Sequence, residues 1–185
     1  EIYIDKIIIA GNVTTKQGVD DLLECGVDIV KVGIGGGSAC TTRIQTGIGM
    51  PQFSCALKCS ESKKNNKYII SDGGITCPGD MAKSFGAGAD FVMIGGEFAG
   101  HYENPGEVIE ENGEHYKFFY GMSSSYAMKN NYAGNNNTNY RSSEGREIKV
   151  KYKGVLDNTV KNYLGGLRST CTYTNSLSIE QLAYN

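Results

Sequence analysis

An α/β fold, with a parallel sheet covered by helices, is what this 185-residue sequence predicts. Three observations predict it. A unit made of a short β-branched run, a glycine-rich turn and a helical segment recurs through the first two thirds of the chain. One unit echoes another, since Gly26-Val27-Asp28-Ile29-Val30-Lys31-Val32-Gly33 parallels Gly88-Ala89-Asp90-Phe91-Val92-Met93-Ile94-Gly95. Each reads as helix stop, aspartate turn, buried strand and a glycine at the strand's carboxyl end. Hydrophobic residues make up 39% of the chain, enough at this length to bury a core. Four such units look like quarters of a (β/α)8 TIM barrel, a fold whose catalytic residues sit in the loops after the strands.

The elements follow in order. Ile7 to Ala10 is the first strand, turning at Gly11 and Asn12, with Thr14 or Thr15 placed to cap a helix through Leu23 that Gly26 ends. Ile29 to Val32 is the second strand, and a long glycine loop separates it from a helix beginning near Pro51. Tyr68 to Ser71 is the third, followed by Asp72-Gly73-Gly74 and a helix opening at Pro78. Phe91 to Ile94 is the fourth, followed by Gly95-Gly96. Beyond Gly100, Val108 to Glu111 and Glu114 to Phe119 flank Asn112-Gly113, a strong hairpin signal. A helix is expected from Ser124 to Lys129. Asn130 to Asn139 holds six asparagines in ten residues and cannot pack a core, so it reads as a mobile lid or a surface insertion. Glu147 to Tyr152 alternates weakly, Val155 to Leu164 can form a helix, and Ser178 can cap a terminal one. The whole reads as one domain, 1–185, with 106–152 inserted as hairpin and lid.

Composition narrows the function. With 18 Lys+Arg against 20 Asp+Glu the formal charge is −2, which favours no polyanion, so nucleic acid is not an expected partner. No run of 18 apolar residues suggests a membrane span. Six cysteines without paired C-x-x-C units, and two histidines, support neither a zinc site nor a secreted disulfide scaffold, and a reducing, cytoplasmic setting is expected.

The densest chemical signal is Gly33 to Arg43, directly after the second strand. Its repeated glycines can present N–H groups to an anion or carbonyls to a monovalent cation, or simply make a turn. It matches neither the dinucleotide fingerprint nor a nucleotide-hydrolase phosphate loop. Cys40 sits where a barrel nucleophile would, though a free cysteine is also a common small core residue. Cys25, Cys55 and Cys59 read as packing residues in helices. Asp72 can accept two hydrogen bonds from a vicinal diol or cap its own turn, and Gly95-Gly96 permits close approach to phosphate oxygens. Tyr120 to Ser124 and Arg141 to Gly145 bracket the asparagine-rich segment, with Glu144 able to bind a ring N–H or relay protons. Gly165 to Tyr173 pairs an arginine with hydroxyls, or is a helix end and surface turn.

Taken together, the Cys40 loop, Ser71-Asp72-Gly73-Gly74, Phe119 to Ser124, Tyr140 to Gly145 and Leu167 to Tyr173 resemble the reductase branch of the IMP dehydrogenase/GMP reductase family of β/α barrels. The resemblance covers the carboxyl-terminal half of that barrel, about strands five to eight plus a hairpin, lid and tail. It implies NADPH-dependent reduction of GMP to IMP with release of ammonia. Cys40 would attack purine C2, with Thr42 and Glu144 assisting proton transfer. Ribose would lie on Asp72, phosphate on Ser38, Gly74, Gly95 and Gly96, and the base near Met122, Ser123, Arg141, Ser143 and Gly145. NADPH would meet Ser123, Arg141, Ser142 and Arg168, and K+ the carbonyls of Gly35, Gly37 and Cys40. The resemblance further implies a homo-oligomer, possibly a tetramer, and an amino-terminal half-barrel to complete the fold. Two alternatives stand beside it: the sister IMP dehydrogenase reaction with NAD, and a noncatalytic purine-nucleotide-binding module. The chain departs from the family pattern at Gly36, where proline is usual, and at Glu97, whose carboxylate is expected to point outward or meet a cation.

Overall fold

The computed structural model describes residues 5–127 and 142–185. A four-stranded, all-parallel sheet runs in chain order through β1 (Ile9–Val13), β2 (Ile29–Val32), β3 (Tyr68–Asp72) and β4 (Phe91–Met93). Helices α1 (Lys16–Glu24), α2 (Thr42–Thr46), α3 (Gln52–Ser60) and α4 (Pro78–Gly86) connect the strands. Alternation along the strands sorts side chains to two faces. Val30, Val32, Ile69 and Ser71 are fully buried towards the helices, and the three apolar ones join Val19, Leu23, Cys55 and Cys59 in one cluster. On the other face Tyr68, Phe91 and Met93 are each more than 40% exposed, with Tyr68 and Phe91 edge to face at 6.1 Å. One side of the sheet is therefore packed and the other is open among the described residues.

The internal echo has a physical basis. Gly26 and Gly88 both take φ of 93°, a left-handed stop that glycine reaches without strain. The aspartate two residues on then latches the neighbouring strand. Asp28 accepts from the Ile8 amide at 2.9 Å and from Lys67 Nζ at 3.0 Å; Asp90 accepts from the Ile69 amide at 2.9 Å and from Lys63 Nζ at 2.8 Å. The same device sets the start of two parallel pairings.

The first strand begins later than expected. Because Ile8 is held by Asp28, the ladder opens at Ile9, and Gly11 and Asn12 lie inside the strand at a register shift instead of in a turn. Thr15 caps α1, its hydroxyl accepting from the Gly18 amide. β3 runs one residue further, to Asp72, and β4 stops one residue earlier, at Met93.

A second, antiparallel sheet holds β5 (Ile109–Glu111), β6 (Glu114–Tyr120) and β7 (Glu147–Lys151). The Asn112-Gly113 turn has positive φ at both residues, 55° and 79°, as a tight hairpin requires. Lys117, buried, donates from Nζ to the carbonyls of His101, Tyr102 and Asn104, fastening this sheet to the loop that leaves the parallel one. His101 is itself buried, with Nε2 3.1 Å from the Thr159 hydroxyl.

The helix expected over Val155 to Leu164 is instead α5 (Asp157–Tyr173), and it runs straight through Gly165-Gly166. Packing explains it: a Cβ on Gly166 would stand under 3.0 Å from Pro78 Cβ, so glycine lets α5 cross the start of α4 closely. Tyr163 and Leu167 then bury against Met81 and Phe85. That gain outweighs the roughly 1 kcal/mol that a helical glycine costs. The chain closes with a 3₁₀ turn over Glu180–Ala183 in place of a helix capped at Ser178. Residues 125–127 are helical, while the expected lid, the rest of that helix, and Arg141 lie outside the described residues.

Candidate active site

The loop after β2 folds back so that the Cys40 amide donates to the Gly37 carbonyl at 3.0 Å. The Cys40 thiol donates to the Thr42 hydroxyl at 3.2 Å, and that hydroxyl donates to Glu144 Oε2 at 2.8 Å. A thiol, a hydroxyl and a carboxylate thus form one line, although Glu144 is 102 residues from Thr42. Backbone pairing holds the line together. The Thr41 amide donates to the Glu144 carbonyl at 2.8 Å, the Arg146 amide to the Ala39 carbonyl at 2.9 Å, and Cys40 bridges to Gly145. The segment after β6 completes the cluster, because the Glu144 amide and the Ser143 hydroxyl both donate to the Ser123 carbonyl at 3.1 Å. Such a line can carry a proton from a sulfur nucleophile to a carboxylate.

The other end of the loop meets the turns after β3 and β4. Ser38 fills the space beside Gly96, where a Cβ would stand under 3.0 Å from the Ser38 hydroxyl. The Gly74 amide donates to the Gly36 carbonyl at 3.0 Å, so this expected anion donor is occupied within the protein. Phe119 of β6 reaches the same region, 3.6 Å from where a Gly95 Cβ would lie. Phe119 also lines a cavity of about 660 Å³ with Asn104, Glu107, Tyr120, Tyr126 and Glu147.

Asp72 neither caps its turn nor stands free. Its Oδ2 is 2.9 Å from Lys31 Nζ and accepts from Asn12 Nδ2 at 2.9 Å. Asn12 also donates to the Gly33 carbonyl at 2.7 Å, tying three strand ends together. Asn12 and Lys31 escaped the sequence reading. A lysine between two valines of a strand is the available signal, whereas Asn12 is hidden by its turn-like neighbour Gly11.

Of the sequence-predicted residues, Ser38, Cys40, Thr42, Gly95, Gly96, Ser123, Ser143, Glu144 and Gly145 come together at the carboxyl end of the parallel strands, with Asp72 beside them. Met122 and Ser142 are exposed at the edge of the group. Arg168 is exposed on α5, and no hydrogen bond or ion pair among the described residues links its side chain to the Cys40 cluster. Of the carbonyls expected to bind a cation, that of Gly37 already accepts the Cys40 amide, and the stem of Arg43 lies against Gly35. Among the described residues no three His, Cys, Asp or Glu side chains form a metal cluster. Cys55 and Cys59 are fully buried, and Cys55 and burial together push the Cys59 thiol up, consistent with packing residues. Cys25, also expected to pack, is instead exposed, because it lies at the carboxyl end of α1 past its buried face. The Glu97 carboxylate is felt by Tyr163, whose buried hydroxyl has no hydrogen-bond partner among the described residues. Burial first, then Glu97, pushes that hydroxyl up to about 12. Lys153 Nζ donates to the Glu97 carbonyl oxygen at 3.0 Å.

Comparison with known proteins gives this arrangement a context. The family model for the IMP dehydrogenase / GMP reductase domain matches residues 2–185. The chain belongs to that family. It is 55% identical over 182 residues to GMP reductase 1 of Mus musculus, covering 98% of this chain and 52% of that protein. GMP reductase of Phytophthora infestans is 55% identical over 182 residues, 98% of this chain and 50% of its own. GMP reductase of Yersinia enterocolitica is 51% identical over 179 residues, 96% and 51% respectively. The chain spans about half the length of these relatives. The four-stranded parallel sheet with its helices is consistent with part of the barrel of the IMP dehydrogenase/GMP reductase family. No helix among the described residues is long and apolar enough to cross a membrane.

Proposed function

We propose that this chain carries the carboxyl-terminal half of a (β/α)8 barrel, strands five to eight, and with it the reacting groups for NADPH-dependent conversion of GMP to IMP and ammonia. The observation that carries this reading is the Cys40–Thr42–Glu144 line. The open face of the parallel sheet is then the surface that an amino-terminal half-barrel covers.

In this reading the Ser38 hydroxyl and the amides of Gly95 and Gly96 take the phosphate, with Gly74 joining only if its bond to Gly36 opens. Asp72, already bonded to Lys31 and Asn12, takes the ribose hydroxyls. Met122, Ser123, Arg141, Ser143 and Gly145 surround the base. The Cys40 proton passes through Thr42 and Glu144, and the sulfur bonds to purine C2. The exocyclic amine receives that proton and leaves as ammonia, so a thioimidate remains on Cys40. A bound nicotinamide cofactor would supply hydride to the same carbon. The C–S bond then breaks, its electron pair returning to sulfur, which takes a proton from solvent to restore the thiol, and the base is hypoxanthine. Splitting the reaction this way lets one thiol serve both deamination and reduction.

The exposed hydroxyls of Ser123 and Ser142 and the apolar surface of Met122 suit a planar ring and its amide, so the donor set fits the cofactor. Arg141 and Arg168 are the proposed charges for its phosphates. The fit for K+ at Gly35, Gly37 and Cys40 is incomplete, because one carbonyl is occupied and Arg43 already brings a positive charge. No step here depends on it.

The test is NADPH oxidation with GMP, followed together with ammonia release, in the protein that contains this chain. Cys40→Ala is expected to abolish both while GMP still binds. Turnover in that variant would refute the covalent step, and XMP formation from IMP and NAD would assign the sister reaction instead.

A further inference from the structure

Arg146 has no role in the scheme above, yet it is bonded to the loop that carries both Ser38 and Cys40. It lies two residues past Glu144 and is exposed. Among the described residues no carboxylate pairs with its guanidinium. Instead Nε and Nη2 both donate to the Ser38 carbonyl, at 3.3 and 3.0 Å, across 108 residues of chain. No other donor among the described residues reaches that carbonyl. An exposed arginine normally gains more from a carboxylate or from water than from a single neutral oxygen. This placement therefore asks what the carbonyl needs to be held for.

Ser38 and Cys40 are two residues apart and face different tasks. The Ser38 hydroxyl stands against Gly96, and the Cys40 thiol reaches Thr42. The peptide between them is fixed at Ala39 by the Arg146 amide, and the residue after Cys40 by the Glu144 carbonyl. Without the guanidinium the Ser38 peptide is held only by the flanking bonds at Gly37 and Ala39 and can rotate between them, carrying its hydroxyl away from Gly96. We infer that Arg146 is a positioning residue: its fork on the Ser38 carbonyl fixes the spacing between the anion-binding hydroxyl and the nucleophilic thiol. This rests on the reading of Ser38 as a phosphate contact and Cys40 as nucleophile. A displacement of 1 Å at such a site is enough to cost about 100-fold in rate.

Two measurements test it on the protein that contains this chain. The first needs no turnover: iodoacetamide alkylation of Cys40 without nucleotide, followed by peptide mass spectrometry, with the exposed Cys25 and Cys77 as internal standards. Arg146→Ala is expected to change the Cys40 rate by about fivefold or more against both standards, because the loop opens locally. Arg146→Lys keeps the charge but not the fork, and is expected to fall between. Should the alanine variant not fold, Arg146→Gln is read by the same criterion. The second measurement is GMP turnover, where a raised KM together with a lowered kcat is expected, since both ends of the site move. A Cys40 alkylation rate within about twofold of the unsubstituted protein overturns the positioning role. Changed alkylation when the unsubstituted protein releases no ammonia from GMP overturns the functional reading, and leaves Arg146 only as the residue that holds the Cys40 loop in place.

Discussion

Gly165 and Gly166 are adjacent in α5, and alanine at the two positions is expected to act in opposite directions. At Gly165 an added Cβ meets nothing within 4 Å. The helix then gains the difference in propensity, about 1 kcal/mol, with part of it arising from a less flexible unfolded chain. At Gly166 the same Cβ would lie under 3.0 Å from Pro78 Cβ. Carbon contacts settle at about 3.5–4.0 Å, so α5 must back away from α4 by roughly 1–1.5 Å. Proline cannot yield, because its ring is part of the first turn of α4. Overpacking of this kind costs about 1–3 kcal/mol, and the lost contact of Tyr163 and Leu167 with Met81 and Phe85 belongs to the same cost. Subtracting the propensity gain leaves Gly166→Ala destabilised by about 1 kcal/mol, and a domain of this size shifts by about 2–4 °C for each kcal/mol. Thermal unfolding of both variants beside the parent protein measures the difference. Two alanines that raise the midpoint equally would refute the view that close crossing, and not chance, put glycine at Gly166.

Two further outcomes follow from the site and from the strand latches. Glu144→Gln keeps the shape of the side chain and removes its ability to take a proton from Thr42. GMP turnover is expected to fall by about 100- to 10,000-fold with GMP affinity little changed, and steady-state kinetics beside a binding titration separates the two. The bond from the Ile8 amide, and then Lys67, hold the Asp28 carboxyl below the usual carboxylate range. The folded-state value being the lower one, the latch contributes fully above the ordinary carboxylate range and is lost as pH falls through the lowered value. Urea midpoints from pH 6 to pH 3 are expected to drop less steeply in Asp28→Asn than in the parent. Parallel curves would deny the latch its part in acid sensitivity.

Much of the parallel sheet could be read from the chain because its signals are local. β2 has the expected bounds, α4 opens at Pro78, and Asn112-Gly113 makes the expected turn, each set by residues within a few positions. The misreadings have distant causes. Gly11 and Asn12 look like a turn until Asn12 is seen to bridge the ends of β2 and β3, and Gly165-Gly166 looks like a helix stop until Pro78 is seen beneath it. In the site, Cys40 and Glu144 stand out as residue types and Thr42 through the family resemblance, but nothing local announces the backbone pairing that sets the three in a line. The Gly74 amide is the opposite case: its glycine suggests an anion contact, and only the fold shows it bonded to Gly36.

The Lys31–Asp72 pair gives the open face of the sheet a chemical consequence. Both side chains are about a quarter exposed, so solvent still screens a contact of 2.9 Å. Any cover laid over Tyr68, Phe91 and Met93 lowers the local dielectric and strengthens the attraction, but it also removes water from both charges. The balance is favourable only if the remaining lone pairs of Asp72 find donors. Asn12 supplies one from the protein. A ribose diol would supply two more, so in the proposed reaction substrate and cover reinforce each other: closing the face raises the demand for hydroxyl donors at Asp72, and the nucleotide meets it.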